Sequence, residues 1–241
     1  MLAGFIIFLI LLRVLSKDDM GIYVLYFTII TAFEVTRDGL IKNTTIRYMR
    51  LSEGENNQIQ STAILFNIIY SLCFISLVLL FAEKLNFLWD VVDLAKVLKI
   101  YCIAAVISIL FSHFEYIFQA KLLFKRIFFL YATKQFSYLL LIVFYLILRG
   151  YSVSLHKIII LHVFAILFST VVGFFIARKY MLTSFTFQYS NIISFWKYGR
   201  FVLFTNICSQ AFITADHFLL ISFLSAPTVS IYNVSVWVAY L

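Results

Sequence analysis

STAILFNIIYSLCFISLVLLFA, residues 61–82, runs for 22 residues without an Asp, Glu, Lys, Arg, Gly or Pro. At 1.5 Å per residue, a helix of that length covers about 33 Å, enough for the roughly 30 Å hydrocarbon core of a bilayer. Lipid offers no water to satisfy peptide groups, so such a segment is expected to close its hydrogen bonds internally, as an α-helix. Outward from this block the pattern recurs. Apolar segments fall at residues 2–15, 21–41, 61–82, 95–119, 127–148, 156–177 and 199–223, and an eighth begins near 228. A membrane barrel would show alternating segments of about ten residues instead. The chain is therefore read as all-α, a polytopic membrane protein.

Composition agrees. Of 241 residues, 63% are hydrophobic and only 12% charged, against about 25% charged in a soluble domain. Mean hydropathy is +1.01. One Pro and seven Gly leave little loop material, and 28 Phe contribute to a 19% aromatic content. These values exclude a soluble globular domain, a disordered chain, a collagen and a disulfide scaffold. Cys73, Cys102 and Cys208 lie inside apolar blocks, with no CxxC and no His at ligand spacing. They read as small buried hydrophobes, so no metal and no cofactor is expected. The net charge of +8 is spread between the blocks, which argues against nucleic acid as a partner and for a role in orientation.

Basic residues in the connections set that orientation. One side carries Lys42, Arg47, Arg50, Lys121, Lys125, Arg126, Arg178, Lys179, Lys197 and Arg200, ten in all; the other carries Arg13, Lys17, Lys84, Lys96, Lys99, Arg149 and Lys157, seven. The majority predicts a cytoplasmic N-terminus with the 2–3, 4–5 and 6–7 connections in the cytoplasm. Residues 189–198 are expected to lie in the interface as a lead-in to helix seven. The connection between helices three and four is expected to be the longest outer loop, about a dozen residues from Glu83.

An internal repeat organises the chain. Leu15-Ser16 and Ile22-Tyr23 match Leu224-Ser225 and Ile231-Tyr232 at a constant offset of 209. Helices one and two thus correspond to helices seven and eight, which implies a six-helix lobe repeated in parallel. The expected domains are 1–180, the first lobe, and 181–241, the lead-in and the first two helices of a second, truncated lobe. The first and last segments, each about 14 residues, are short for a span. No secretory signal pattern surrounds Met1. A chain that continues past both ends, with about twelve helices, is expected.

Three stretches carry a family resemblance. Leu15-Ser16-Lys17-Asp18-Asp19-Met20-Gly21-Ile22-Tyr23 is similar to an outer-loop pattern LS-x-x-x-x-G-x-Y. Arg37-Asp38-Gly39-Leu40, with Arg47, resembles the end of that family's second helix. Trp196-Lys197-Tyr198-Gly199, Asp216-His217-Phe218-Leu219-Leu220 and Ser230-Ile231-Tyr232-Asn233 resemble its helix-seven start, its helix-seven Asp and a second loop motif. Arg200 replaces a frequent Pro, and Ser230 a Gly. The family is the polysaccharide biosynthesis/O-antigen translocase group (oligosaccharide flippases) of the multidrug/oligosaccharidyl-lipid/polysaccharide exporter superfamily. The resemblance implies a flippase in the bacterial cytoplasmic (inner) membrane. It would move undecaprenyl-pyrophosphate-linked oligosaccharide repeat units by alternating access, for O-antigen, capsule, exopolysaccharide or lipopolysaccharide synthesis in the cell envelope. Its partners would be the lipid-linked oligosaccharide, membrane lipid and other polysaccharide assembly proteins.

Ionisable groups in lipid cost a few kcal/mol and usually face protein or a water-filled cavity. Glu34, Arg37 and Asp38 share one face of helix two, where Arg37 can pair with either carboxylate. That face reads either as a self-neutralising pair, with Lys42 snorkelling, or as cavity lining. Ser108, Ser112, Glu115 and Gln119 form a stripe on helix four, with His113 one position off it; interhelical bonding and cavity lining both fit. Lys134 on helix five, with Ser137, Tyr138, Leu141 and Tyr145 continuing its face, suits a diphosphate or a pair with Glu34 or Glu115. Asn206, Ser209, Gln210, Thr214, Asp216 and His217 are the polar set of helix seven, and His162 on helix six reads as packing. Lys134, Arg37 and Glu115 are the substrate-binding candidates. Asp216, Glu34 and Asp38 are candidates for ion coupling or a pair between lobes.

No GxSxG, HExxH, P-loop or dinucleotide fingerprint is present, so no catalytic residue is assigned and no enzyme is expected. Asn43–Thr45 forms a glycosylation triplet without meaning on a cytoplasmic side. A multidrug or toxin exporter of the same superfamily remains an alternative, as does a membrane glycan polymerase. The latter needs a long outer loop.

Overall fold

The computed structural model describes residues 2–51, 56–149 and 153–239. Among these, every regular element is an α-helix: α1 Leu2–Val14, α2 Lys17–Leu40, α3 Lys42–Leu51, α4 Asn56–Trp89, α5 Leu94–Ala120, α6 Phe124–Arg149, α7 Leu155–Ala177, α8 Tyr189–Phe223 and α9 Ala226–Ala239. Five stretches are long and apolar enough to cross a membrane: Lys17–Leu51, Asn56–Trp89, Leu94–Ala120, Phe124–Leu148 and Leu155–Ala177. Their outward faces carry Leu79, Leu80, Phe128, Phe144, Phe168 and Phe175, all exposed. A belt of this kind is unstable against water and suits lipid, so the chain is membrane-spanning.

α2 forms the spine. It packs along α8 and α9, while α5 lies between α4 and α7, α7 also meets α6, and α1 leans on α6. Leu25, Tyr26, Leu98, Tyr101, Ala104, Ile158 and Ile159 build the central core. Glycines allow the closest approaches of α2. A Cβ on Gly21 would overlap the backbone carbonyl of Ala226 at the start of α9. A Cβ on Gly199 of α8 would stand 2.7 Å from the Leu40 carbonyl oxygen, and one on Gly39 would stand 2.5 Å from Asn206 Nδ2. The Asn206 amide donates to the Val35 carbonyl at 2.8 Å, tying α8 to α2. The motif glycines are thus packing devices along one helix.

The two copies of the outer-loop pattern open helices in the same register. Ser16 caps α2 by accepting from the Asp19 N–H at 3.1 Å. Ser225 precedes α9 and meets Thr228 at 3.2 Å. Lys17 and Ala226, the first residues of those helices, stand at the same offset of 209 as the sequence match.

Three sequence expectations change. The polar connection after helix two is itself helical: Ile41 alone separates α2 from α3. It buries Thr44 and Thr45, whose hydroxyls bond the Leu40 and Ile41 carbonyls at 2.7 Å. The expected dozen-residue outer loop shrinks to residues 90–93, because α4 runs on to Trp89. Asn86 closes that turn by donating to the Val92 carbonyl and accepting from the Ala95 N–H, both at 2.8 Å. The start of helix seven, expected at 199, moves back: residues 189–198, the lead-in, are the first turns of α8. Phe195, 1% exposed, pins them by stacking on Tyr48 at 5.8 Å between centroids.

Candidate functional site

The charged face of α2 meets the polar stripe of α5 rung by rung, and the pairing differs from the one spacing suggests. Glu34 accepts from the Tyr101 hydroxyl at 3.0 Å. Arg37, 3% exposed, pairs with neither neighbouring carboxylate. Its Nη1 donates to Ser108 at 2.8 Å, its guanidinium lies 5.3 Å from the Phe33 ring centroid, and its Nε has no partner among the described residues. Asp38 accepts from the Tyr116 hydroxyl at 2.9 Å. Lys42 does not snorkel free: it bonds Glu115 at 2.6 Å and Asp38 at 3.4 Å. Glu115 takes a second bond from the Tyr131 hydroxyl at 2.6 Å. Each α2 side chain projects towards a different turn of α5, so i,i+3 and i,i+4 neighbours on α2 are drawn apart.

Of the substrate-binding candidates, Glu115 is therefore already engaged, by Lys42 and Tyr131. Ser108 and Glu115 of the stripe serve interhelical bonding, Ser112 donates back to the Ile109 carbonyl of its own helix at 3.1 Å, and Gln119 at the end accepts through its carbonyl from Arg50 at 3.2 Å. His113, one position off the stripe, is fully buried, and neither ring nitrogen has a partner among the described residues.

Lys134 stands apart from this network. No carboxylate oxygen lies within 4.0 Å of it among the described residues. Its ammonium lies 5.3 Å from the centroid of Phe111, one turn along α5 from the Ser108 that holds Arg37. It borders a cavity of about 330 Å³ with Glu34, Tyr131, Gln135, Tyr138 and His162. The face expected to continue from Lys134 splits: Tyr138 lines this cavity, whereas Ser137 and Leu141 line a separate apolar groove between α6 and α7. Tyr145 lies further along α6, its centroid 5.8 Å from the Lys157 ammonium.

His162 is more than packing. Its Nδ1 meets the Tyr26 hydroxyl at 3.2 Å, its ring packs against Phe27 and Tyr138 at 5.1 and 5.0 Å, and it shares the cavity with Lys134 and Glu34. Sequence spacing could not join it to residues on α2 and α6. Tyr101, Tyr116 and Tyr131 were equally hidden among other aromatics. The only signal is that a tyrosine inside lipid needs a hydroxyl partner.

Asp216 sits on α8, away from the α2–α5 ladder, and is exposed. It accepts from the Tyr232 hydroxyl of α9 at 2.6 Å. On the next rung His217 Nε2 meets the Asn233 amide at 3.0 Å. The three acidic candidates thus have separate partners: Tyr101 for Glu34, Tyr116 and Lys42 for Asp38, Tyr232 for Asp216.

In chemical terms, two cations that lie within the membrane-spanning stretches, Arg37 and Lys134, have no carboxylate oxygen within 4.0 Å among the described residues, and both reach the same side of α5. A family model described as a polysaccharide biosynthesis protein matches residues 10–241. No curated relative and no solved structure matches the chain.

Proposed function

The chain belongs to the polysaccharide biosynthesis protein family, and on that premise we propose that it is a flippase for lipid-linked oligosaccharide repeat units in the bacterial cytoplasmic membrane. The observation that carries this reading is Lys134 at a cavity inside the helix bundle, facing Glu34 across it with no direct ion pair among the described residues, and with the buried guanidinium of Arg37 on Ser108, one turn of α5 from Phe111. A carrier diphosphate is an anion that must leave water to cross, and fixed cations offset that desolvation. Lys134 takes the diphosphate as a point charge at the cavity wall. Arg37 is held off by Ser108 and reinforces the positive potential without needing to move. Glu34, across the same cavity, balances Lys134 while the site is empty and exchanges that role with the arriving anion. Asp216 and Asp38 are the further carboxylates at which an ion can be taken up or released during alternating access.

The basic majority supports a cytoplasmic N-terminus, so substrate enters from the inner leaflet and is handed on to the proteins that assemble the polymer. In cells carrying the full-length protein, Lys134→Ala or Asp216→Ala is expected to leave lipid-linked sugar on the cytoplasmic face and to deplete surface glycan. Wild-type surface glycan in both mutants overturns the site assignment. Drug sensitivity in a deletion strain whose surface sugar is normal decides for the exporter alternative.

A further inference from the structure

A second cavity adjoins the first and, unlike it, has no charged side chain in its lining. It measures about 340 Å³ and lies between α2, α8 and α9, with Phe8 of α1 at one edge. That is within the range of small-molecule sites, about 300–1,000 Å³. No Asp, Glu, Lys or Arg lines it. Its wall with the Lys134 cavity is shared: Phe27 and Thr31 line both spaces. Tyr23 of the second cavity meets Tyr138 of the first through their hydroxyls at 3.4 Å.

Its polar groups are neutral and in part unused. Neither the Gln210 amide nor the Thr31 hydroxyl has a hydrogen-bond partner among the described residues, and His217 Nδ1 is buried without one. The opposite edge of the His217 ring is occupied, since Nε2 meets Asn233. Amide, hydroxyl and imidazole each combine donor and acceptor capacity. Together with the Phe27 ring they match a ligand that presents several hydroxyls on a ring with an apolar face. A cationic drug finds no carboxylate here, and an acyl or isoprenoid chain would leave the three polar groups unpaired.

The geometry points to this cavity as the subsite for the first neutral sugar of a substrate whose diphosphate lies at Lys134. The assignment rests on the flippase reading, because Lys134 defines where the diphosphate ends and the glycan begins.

Three probes test it on the full-length protein in lipid nanodiscs: inorganic pyrophosphate, a short-chain polyprenyl diphosphate, and the same lipid diphosphate bearing one neutral hexose. Gln210→Ala and Thr31→Val carry the test, since neither side chain has a hydrogen bond to lose among the described residues and unchanged melting temperatures are expected. Each is expected to weaken the hexose-bearing probe at least tenfold while leaving the two sugar-free probes within twofold of wild type. Lys134→Ala is expected to weaken all three. Unchanged binding of the hexose probe in both subsite variants, or equal loss across the probes, overturns the subsite. If Lys134→Ala binds all three like wild type while the subsite variants lose only the hexose probe, the sugar subsite stands and the anion reading falls. Wild-type protein that binds none of the three overturns both.

Discussion

Lys42 illustrates how a residue that looks peripheral in sequence becomes central in structure. It opens α3, just past the charged face of α2, yet its ammonium is shared between Glu115 at 2.6 Å and Asp38 at 3.4 Å. Glu115 is 4% exposed and would be a buried carboxylate without a cation if Lys42 were removed. Removing one partner of a buried ion pair costs about 3–5 kcal/mol, whereas removing both charges can be neutral. Lys42→Met is therefore expected to lower thermal stability in detergent markedly. Lys42→Met with Glu115→Gln is expected to recover most of that loss. A double variant as unstable as the sum of the two singles would show that the pair has no coupling. Arg37 differs, because no carboxylate is bonded to it directly. What it loses on truncation is one hydrogen bond to Ser108 and its contact with Phe33.

At the level of elements, α2 is held to α8 and α9 by close backbone approaches rather than by large side chains. This is the usual way that membrane helices associate, since lipid removes the hydrophobic drive between them. The three glycines differ in what an added methyl would meet. At Gly21 it is the backbone of Ala226, at Gly199 the Leu40 carbonyl and side chain, and at Gly39 the movable amide of Asn206. Backbone cannot yield as a side chain can, and overpacking costs about 1–3 kcal/mol. The expected order of destabilisation is Gly21→Ala largest, Gly199→Ala next and Gly39→Ala smallest. The last still loses the Asn206 bond to Val35, a contribution of about 0.5–1.5 kcal/mol. Melting curves of the three variants in one detergent check the order, and a Gly39→Ala protein less stable than Gly21→Ala contradicts it. At the other end of α8, Trp89 of α4 bonds Ser222 at 3.1 Å and stacks on Phe218 at 5.8 Å, so α8 is fastened to the bundle near both ends.

For the whole molecule, loop charge sets which side faces the cytoplasm. Ten basic residues lie on one side and seven on the other. Loop Lys and Arg are retained on the cytoplasmic side during insertion. With Cys73, Cys102 and Cys208 replaced by Ala, Lys125→Cys is expected to react with membrane-permeant maleimide only. Lys96→Cys, exposed at the opposite side, is expected to react with an impermeant reagent added to intact cells. The reverse labelling inverts the topology and would place substrate entry on the other leaflet.

Apolar block length and loop charge are local properties, and they were readable in full. Residues 61–82 cannot be other than helical in lipid, and the same logic places most of the remaining spans within a few residues of where they lie. Helix ends were less legible, as at α3, the long end of α4 and the first turns of α8. There polar and aromatic residues are kept helical by tertiary partners such as Phe66 and Tyr48 around Phe195. The individual ionisable residues were visible because charge in an apolar block stands out. Their partners were not. Spacing joined Arg37 to Glu34 and Asp38, whereas packing gave it to Ser108, gave Glu115 to Lys42 and left Lys134 at a cavity. A periodic pattern states which side of a helix a residue occupies. Which neighbour stands on that side depends on the rotation and depth of another helix, and only the packed bundle sets those.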